Sequence, residues 1–149
     1  MSQIRGIAIR RQPRIAMQSI ESAEISVHAG IIGDYRGSLK GRQLSLLSEA
    51  DWLETCTEVG AEGLPWTTRR ANLLIDEVSF DDSWVGRRLR IGAVELLVTC
   101  ETAPCSLMDA QQAGLTAALR SDWRGGVCCD VLQPGHIALG DQVEVDWRN

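Results

Sequence analysis

Pro104-Cys105 is the first place where residue type and position suggest chemistry. The apolar run at 94–100 reads as a strand, and Pro104 cannot donate to a sheet ladder, so the strand must end before it. Cys105 then falls just past a strand end, on a loop fixed by a rigid residue, where functional side chains are often placed. A thiol held near cationic groups ionises, and the thiolate is both a nucleophile and a soft metal ligand. Two readings fit this spacing: a functional thiolate and a half-buried structural cysteine. Upstream, Arg70-Ala71-Asn72 sets a planar cationic fork two residues from an amide. At a strand start the two side chains would share a face, and such a pair suits a phosphate or a pterin edge. The alternative is an arginine at a strand end and an asparagine in a turn. Arg69 is a second cation beside them, and Thr67 and Thr68 add hydroxyls.

Further polar candidates lie between residues 29 and 42. Asp34, Arg36 and Gly37 sit in a loop with four glycines, and Arg42 opens the strand that follows. Each reads either as an anion contact or as part of a solvated turn or strand end. His28 and His136 are the two histidines, and no paired ligand spacing links them, so a zinc site is a weak reading of the pattern. Cys128 and Cys129 are adjacent on an expected strand, which turns their side chains to opposite faces, one to the core and the other exposed or lining a pocket. Cys56 and Cys100 have core patterning, although Cys100 is close enough to Cys105 to serve as a resolving thiol. Lys40 is the chain's one lysine and the one candidate for a Schiff base. Its loop setting makes pyridoxal phosphate chemistry an unsuitable reading.

The elements that must position these residues are mostly strands. Alternating or continuous apolar patterns predict strands over 3–10, 23–28, 42–47, 71–75, 87–91, 94–100, 125–132 and 142–147. Ser48, followed by Glu49 and Asp51, predicts a helix start, with Trp52, Leu53, Cys56 and Val59 at helical spacing and Gly60 past the end. A second helix is expected over 106–120, weakened by Gly114. Turn signals fall at Gln133-Pro134-Gly135 and Gly140-Asp141. With no regular alternation of strand and helix, the pattern predicts a mainly β, α+β domain: an antiparallel, barrel-like sheet with two short helices or helical insertions.

Composition narrows the function. The chain's 149 residues suit one domain, 1–149, able to bury about two thirds of its unfolded surface. Five cysteines without a Cys-x-x-Cys pair fit reduced thiols rather than a disulfide framework. No apolar run has a membrane span's length, and the start lacks a signal peptide's apolar block. A cytoplasmic protein is the expectation. The net charge of −5 is divided: residues 1–42 carry +4 and residues 43–149 carry −9. An acidic balance argues against a nucleic-acid surface, while the basic section could serve a small anion. Fourteen of the fifteen basic residues are arginine.

Gly86-x-x-Leu89-x-Ile91-Gly92, a strand, then Pro104-Cys105 resembles the MOSC domain, the family named for the C-terminal domain of molybdenum cofactor sulfurases. Gly30-Ile31-Ile32-Gly33-Asp34, Arg42-Gln43-Leu44-Ser45-Leu46, Arg70-Ala71-Asn72-Leu73 and Gly135-His136-Ile137-Ala138-Leu139-Gly140-Asp141 are similar to its other blocks, in the family's order and over most of the chain. The resemblance implies a β-barrel-based fold and makes Cys105 the residue expected to bind molybdenum or carry sulfur. It also places Arg70 and Asn72 by the site, with Arg69, Thr68, Asp34, Arg36 and Arg42 as further contacts to a molybdopterin. Many relatives carry a histidine in the Gly-Asp-x-His-like run; here Tyr35 and Arg36 stand instead, and Arg36 would replace it as an anion contact. Three functions follow. One is oxotransfer on molybdenum, reducing N-hydroxylated compounds with electrons from a separate reductase. Another is sulfur transfer through a Cys105 persulfide, fed by a separate cysteine desulfurase. The last is a non-catalytic small-ligand module on the same fold.

Overall fold

The computed structural model describes residues 1–104 and 107–147. Its main sheet includes the hairpin of β7 (Arg88–Ile91) and β8 (Val94–Glu101). Leu89, Ile91, Val94, Leu96 and Val98 are all buried, as their alternation demands. On β8 lies β9 (Val127–Gln133), then β5 (Leu44–Ser48), β6 (Leu73–Ile75), β1 (Ile4–Ile9) and β2 (Gln18–Ile20), and β11 (Glu144–Asp146) flanks β7. This eight-stranded sheet is antiparallel except where β5 runs parallel to β6. A smaller sheet joins β3 (Ser22–Ser26) to β4 (Gly30–Ile31) and β10 (Gly135–Ala138).

The mainly β, α+β architecture agrees with the sequence reading, with two refinements. The main sheet does not close, since β11 and β2 do not pair among the described residues. Backbone bonds from Ile4 to Asp141 and from Val143 to Ser2 nevertheless draw the start of β1 toward the approach to β11, which gives the sheet its barrel-like curl. The second refinement is the parallel pair, made possible because a helix and a long loop separate β5 from β6.

That helix, α1 (Glu49–Glu58), begins as its residues require. The Ser48 hydroxyl accepts from Asp51 N–H at 3.1 Å and donates to Val78 O at 2.6 Å, so the cap also ties the helix to the segment that follows β6. Gly60 takes positive φ past the end. Trp52 and Cys56 pack with Leu47, Leu74, Leu115 and Leu119 in a cluster beside the main core. The single helix expected over 106–120 is instead two: α2 (Leu107–Gln111) and α3 (Leu115–Arg120), parted at Gly114, whose φ of 82° is left-handed. Three strands escaped the sequence reading. β2 and β4 have three and two residues, too few for a periodic signal, and β10 begins on a residue that reads as a turn.

Candidate functional site

A cleft of about 310 Å³ opens where the ends of several strands meet. Its floor is Ser45 on β5, Asn72 just before β6, Cys128 on β9 and Thr102 just past β8. Its walls hold Arg10 after β1, Asp34, Tyr35 and Arg36 from the glycine-rich loop, Arg42, and Arg69 and Arg70 at the end of a 3-10 turn (Trp66–Arg69). Five arginines therefore face two carboxylates, Asp34 and Glu101, in a chain whose net charge is −5. A concave pocket lined by one sign of charge concentrates anions.

The glycine-rich loop reaches the cleft because its backbone is pinned from below. A Cβ on Gly37 would stand 1.6 Å from Ala29 O, so only glycine permits this approach. Gln43, buried at 1% exposure, donates from Nε2 to Val27 O at 2.8 Å and to Gly37 O at 2.9 Å, and its Oε1 accepts from Val131 N–H at 2.9 Å. Asp34 accepts from Arg10 N–H at 3.0 Å through Oδ1, which fixes a turn. It lines the cleft as a brace rather than as an open anion.

The premise for pairing Arg70 with Asn72 is corrected by the backbone. Arg70 is not on a strand: it caps the 3-10 turn in left-handed conformation, φ 66° and ψ 27°. A non-glycine residue there is strained, and the turn leaves its side chain exposed at the rim. Asn72 is buried. Its Oδ1 accepts from Ser45 N–H at 3.0 Å and its Nδ2 donates to Ala8 O at 3.1 Å, so most of its polar capacity braces β1 against β5. Both still line the cleft. Arg69 is also buried, and its Nη2 donates to Thr102 O at 2.8 Å, anchoring the segment that runs to Pro104. Thr67 and Thr68 ride on the same turn and are not among the lining residues. Arg36 and Arg42 are exposed lining residues.

Cys105 lies outside the described residues; Ala103 and Leu107, on either side of it in the chain, line the cleft. The other thiols are distinct. Cys129 is in the main core and Cys128 lines the cleft, the opposite-face arrangement expected of neighbours on a strand. Cys128 Sγ meets Thr102 Oγ1 at 3.1 Å. Burial pushes its thiol up, and the Thr102 contact only partly opposes this. Cys100 is half-buried and pairs in register with Cys128. Among the described residues no group of three or more His, Cys, Asp or Glu could hold a metal ion. His28 is exposed, and His136 pairs with Glu24 at 2.6 Å outside the cleft.

Two contributors escaped the sequence reading. Arg10 falls at the end of the strand expected over 3–10 and carries no signal of a site, yet it is 5% exposed and lines the cleft. Its Nε and Nη1 are buried with no acceptor, and no carboxylate is in ion-pair range of it, among the described residues. Gly125 is the other: a Cβ there would lie 2.5 Å from Thr102 O and 3.2 Å from Pro104 Cδ. Its lack of a side chain lets the Pro104 segment seat on the sheet. A second concavity of about 340 Å³, between β7 and β11, mixes Arg88 and Arg90 with Glu95, Glu144 and Asp146 and has no comparable excess of one charge.

The profile of the MOSC domain matches residues 26–144. No curated protein matches the sequence. Among solved structures the chain is similar to the YuaD protein from Bacillus subtilis, with 19% identity, a TM-score of 0.80, and 97% of this chain and 96% of that one covered. It is also similar to YiiM from Geobacillus stearothermophilus, with 16% identity, TM-score 0.79, and 98% and 75% covered. YiiM from Escherichia coli follows with 15% identity, TM-score 0.73, and 99% and 71% covered. At these identities the likeness is one of fold.

Proposed function

Because the chain belongs to the MOSC domain family, which is associated with molybdenum-cofactor binding, we propose that its arginine-lined cleft holds a molybdenum cofactor. The observation that carries this reading is Arg10. A buried guanidinium without a carboxylate is costly unless something anionic completes it. Two of its nitrogens are buried without an acceptor among the described residues, and a pterin phosphate supplies both the charge and the acceptors. The exposed Arg36, Arg42 and Arg70 add cations at the rim.

The chain's own residues divide the work. Arg10 and Arg70 bind the phosphate, and Arg36 and Arg42 draw it in. Arg69 and Gly125 seat the segment 102–104, from which the chain passes directly to Cys105. Asn72 and Ser45 keep the floor rigid. Cys128, held protonated by burial, is a neutral lining group, which leaves Cys105 as the thiolate that would ligate the metal. When bound, the cofactor would supply a metal that takes an oxygen atom while giving up a pair of electrons, or the reverse. The proposed activity is reduction of small N-hydroxylated compounds, whose oxygen leaves as water, with the two electrons supplied by a separate reductase.

The test is cofactor occupancy per chain in protein made in a cofactor-competent host. Arg70→Lys keeps the charge but replaces a two-pronged donor with a point charge, so occupancy should fall, and Arg70→Ala should lower it further. Equal occupancy in wild type and Arg70→Ala removes Arg70 from the phosphate site. A wild type empty of metal and pterin, with one additional sulfur atom on its Cys105 peptide, would replace this reading with sulfur transfer.

A further inference from the structure

Tyr35, the chain's one tyrosine, stands between two arginines of the cleft. Its phenol oxygen accepts from Arg10 Nη2 and from Arg36 Nε, each at 2.8 Å. Its ring also faces both guanidinium groups, with Arg10 Cζ 4.9 Å and Arg36 Cζ 5.5 Å from the centroid. The backbone holds this stack in place, since Tyr35 N–H donates to Arg10 O at 2.9 Å.

A phenol oxygen can accept at its lone pairs and donate its one hydrogen. Here two cationic donors occupy the accepting side, so the polar capacity left is the O–H. No acceptor for it is present among the described residues. Donation from two guanidinium groups polarises the phenol and strengthens that O–H as a donor. It sits beside Arg10, whose Nε and Nη1 also lack acceptors. Arg10, Tyr35 and Arg36, all lining residues, thus bring positive charge and one unpartnered O–H to the cleft.

We propose that Tyr35 is a specificity-determining residue of the cleft, donating its O–H to an unprotonated oxygen of a phosphate-type anion whose charge Arg10 and Arg36 balance. This rests on the anion-binding reading of the cleft. A neutral donor between two cations adds a directed hydrogen bond without adding a third like charge. With its lone pairs already taken, the phenol cannot serve a ligand donor, so the subsite favours a bare oxyanion over an alcohol, amine or amide N–H.

Tyr35→Phe removes the O–H and keeps the ring under both guanidinium groups. Binding of inorganic phosphate, measured by calorimetry, is compared in wild type, Tyr35→Phe and Arg42→Ala, with the melting midpoint as a check on folding. Tyr35→Phe should bind phosphate about tenfold more weakly, the scale of one charge-assisted hydrogen bond, in a protein that still folds cooperatively, at a midpoint lowered because Arg10 Nη2 loses its acceptor. Since the chain has one tyrosine, the tyrosine Raman doublet reads this phenol alone. It should report an accepting oxygen in the free protein and shift toward donation when phosphate binds. Phosphate binding weakened in Arg42→Ala but equal in wild type and Tyr35→Phe overturns the role of Tyr35 and leaves the anion cleft standing. A doublet unmoved by bound phosphate does the same. No phosphate binding by wild type overturns both readings together.

Discussion

Replacing Gln43 with methionine tests how the glycine-rich loop is held over the cleft. The side chains are similar in length, so packing is largely kept and three hydrogen bonds are lost. Val27 O and Gly37 O lose their donor, and Val131 N–H loses its acceptor, at a position 1% exposed. A buried backbone group left unpaired costs about 1–3 kcal/mol. Two of the three belong to loop segments that can open toward water and take the lower figure, Val131 N–H on β9 costs at least as much, and the total is at least about 3 kcal/mol. With a urea m-value of about 2 kcal/mol/M, the unfolding midpoint should fall by about 1.5 M. Tryptophan fluorescence follows the transition. A shift below about 0.5 M at an unchanged m-value would refute the claim that Gln43 clamps the loop. Phosphate affinity should fall as well, because the loop carries Tyr35 and Arg36.

Asn72→Ala should destabilise the ligand-free protein by about 2 kcal/mol, since Ser45 N–H and Ala8 O lose side-chain partners; an unchanged urea midpoint would return Asn72 to a ligand-binding role. At limiting iodoacetamide, Cys105 should be alkylated first and the half-buried Cys100 next. Cys56, Cys128 and Cys129 should lag, because burial pushes their thiols up, and peptide mass mapping that finds Cys128 modified first would contradict this. Asp51 supplies a pH test. Burial, with Glu54 beside it, holds its carboxyl above the ordinary value of 3.8, and Arg124 only partly offsets this. An acid raised on folding binds a proton as the chain folds, so its penalty is full above its folded pKa and fades as pH falls through it toward the unfolded value. Asp51→Asn should therefore be more stable than wild type at neutral pH, with the gain gone below about pH 4. A gain that persists in acid would point to packing rather than charge.

The parts of the fold legible in the sequence are those set by neighbours in the chain. The β7–β8 hairpin follows from two apolar runs broken at Gly92, and α1 from Ser48 and its acidic first turn. The packing of Cys56 follows from helical spacing. What was not legible depends on distant partners. Asn72 looks like a free amide until Ala8 and Ser45, 64 and 27 residues away in the chain, are seen to use it. Arg10 looks like the charged end of a strand until the fold buries it without a carboxylate. Arg70 breaks strand periodicity because a 3-10 turn ends on it in left-handed conformation, and a single strained residue has no periodic signature. The glycine at 114 did carry a local signal, and it proved strong enough to divide a helix.

The central claim is that the cleft takes a pterin through its arginines and that Cys105 takes the metal. The direct measurement is the molybdenum and pterin content per chain of wild type and Cys105→Ser, both purified from a cofactor-competent host. The account predicts matched molybdenum and pterin in wild type. In Cys105→Ser it predicts a loss of molybdenum with pterin partly retained. Wild type lacking both, or Cys105→Ser holding molybdenum at the wild-type level, would contradict it.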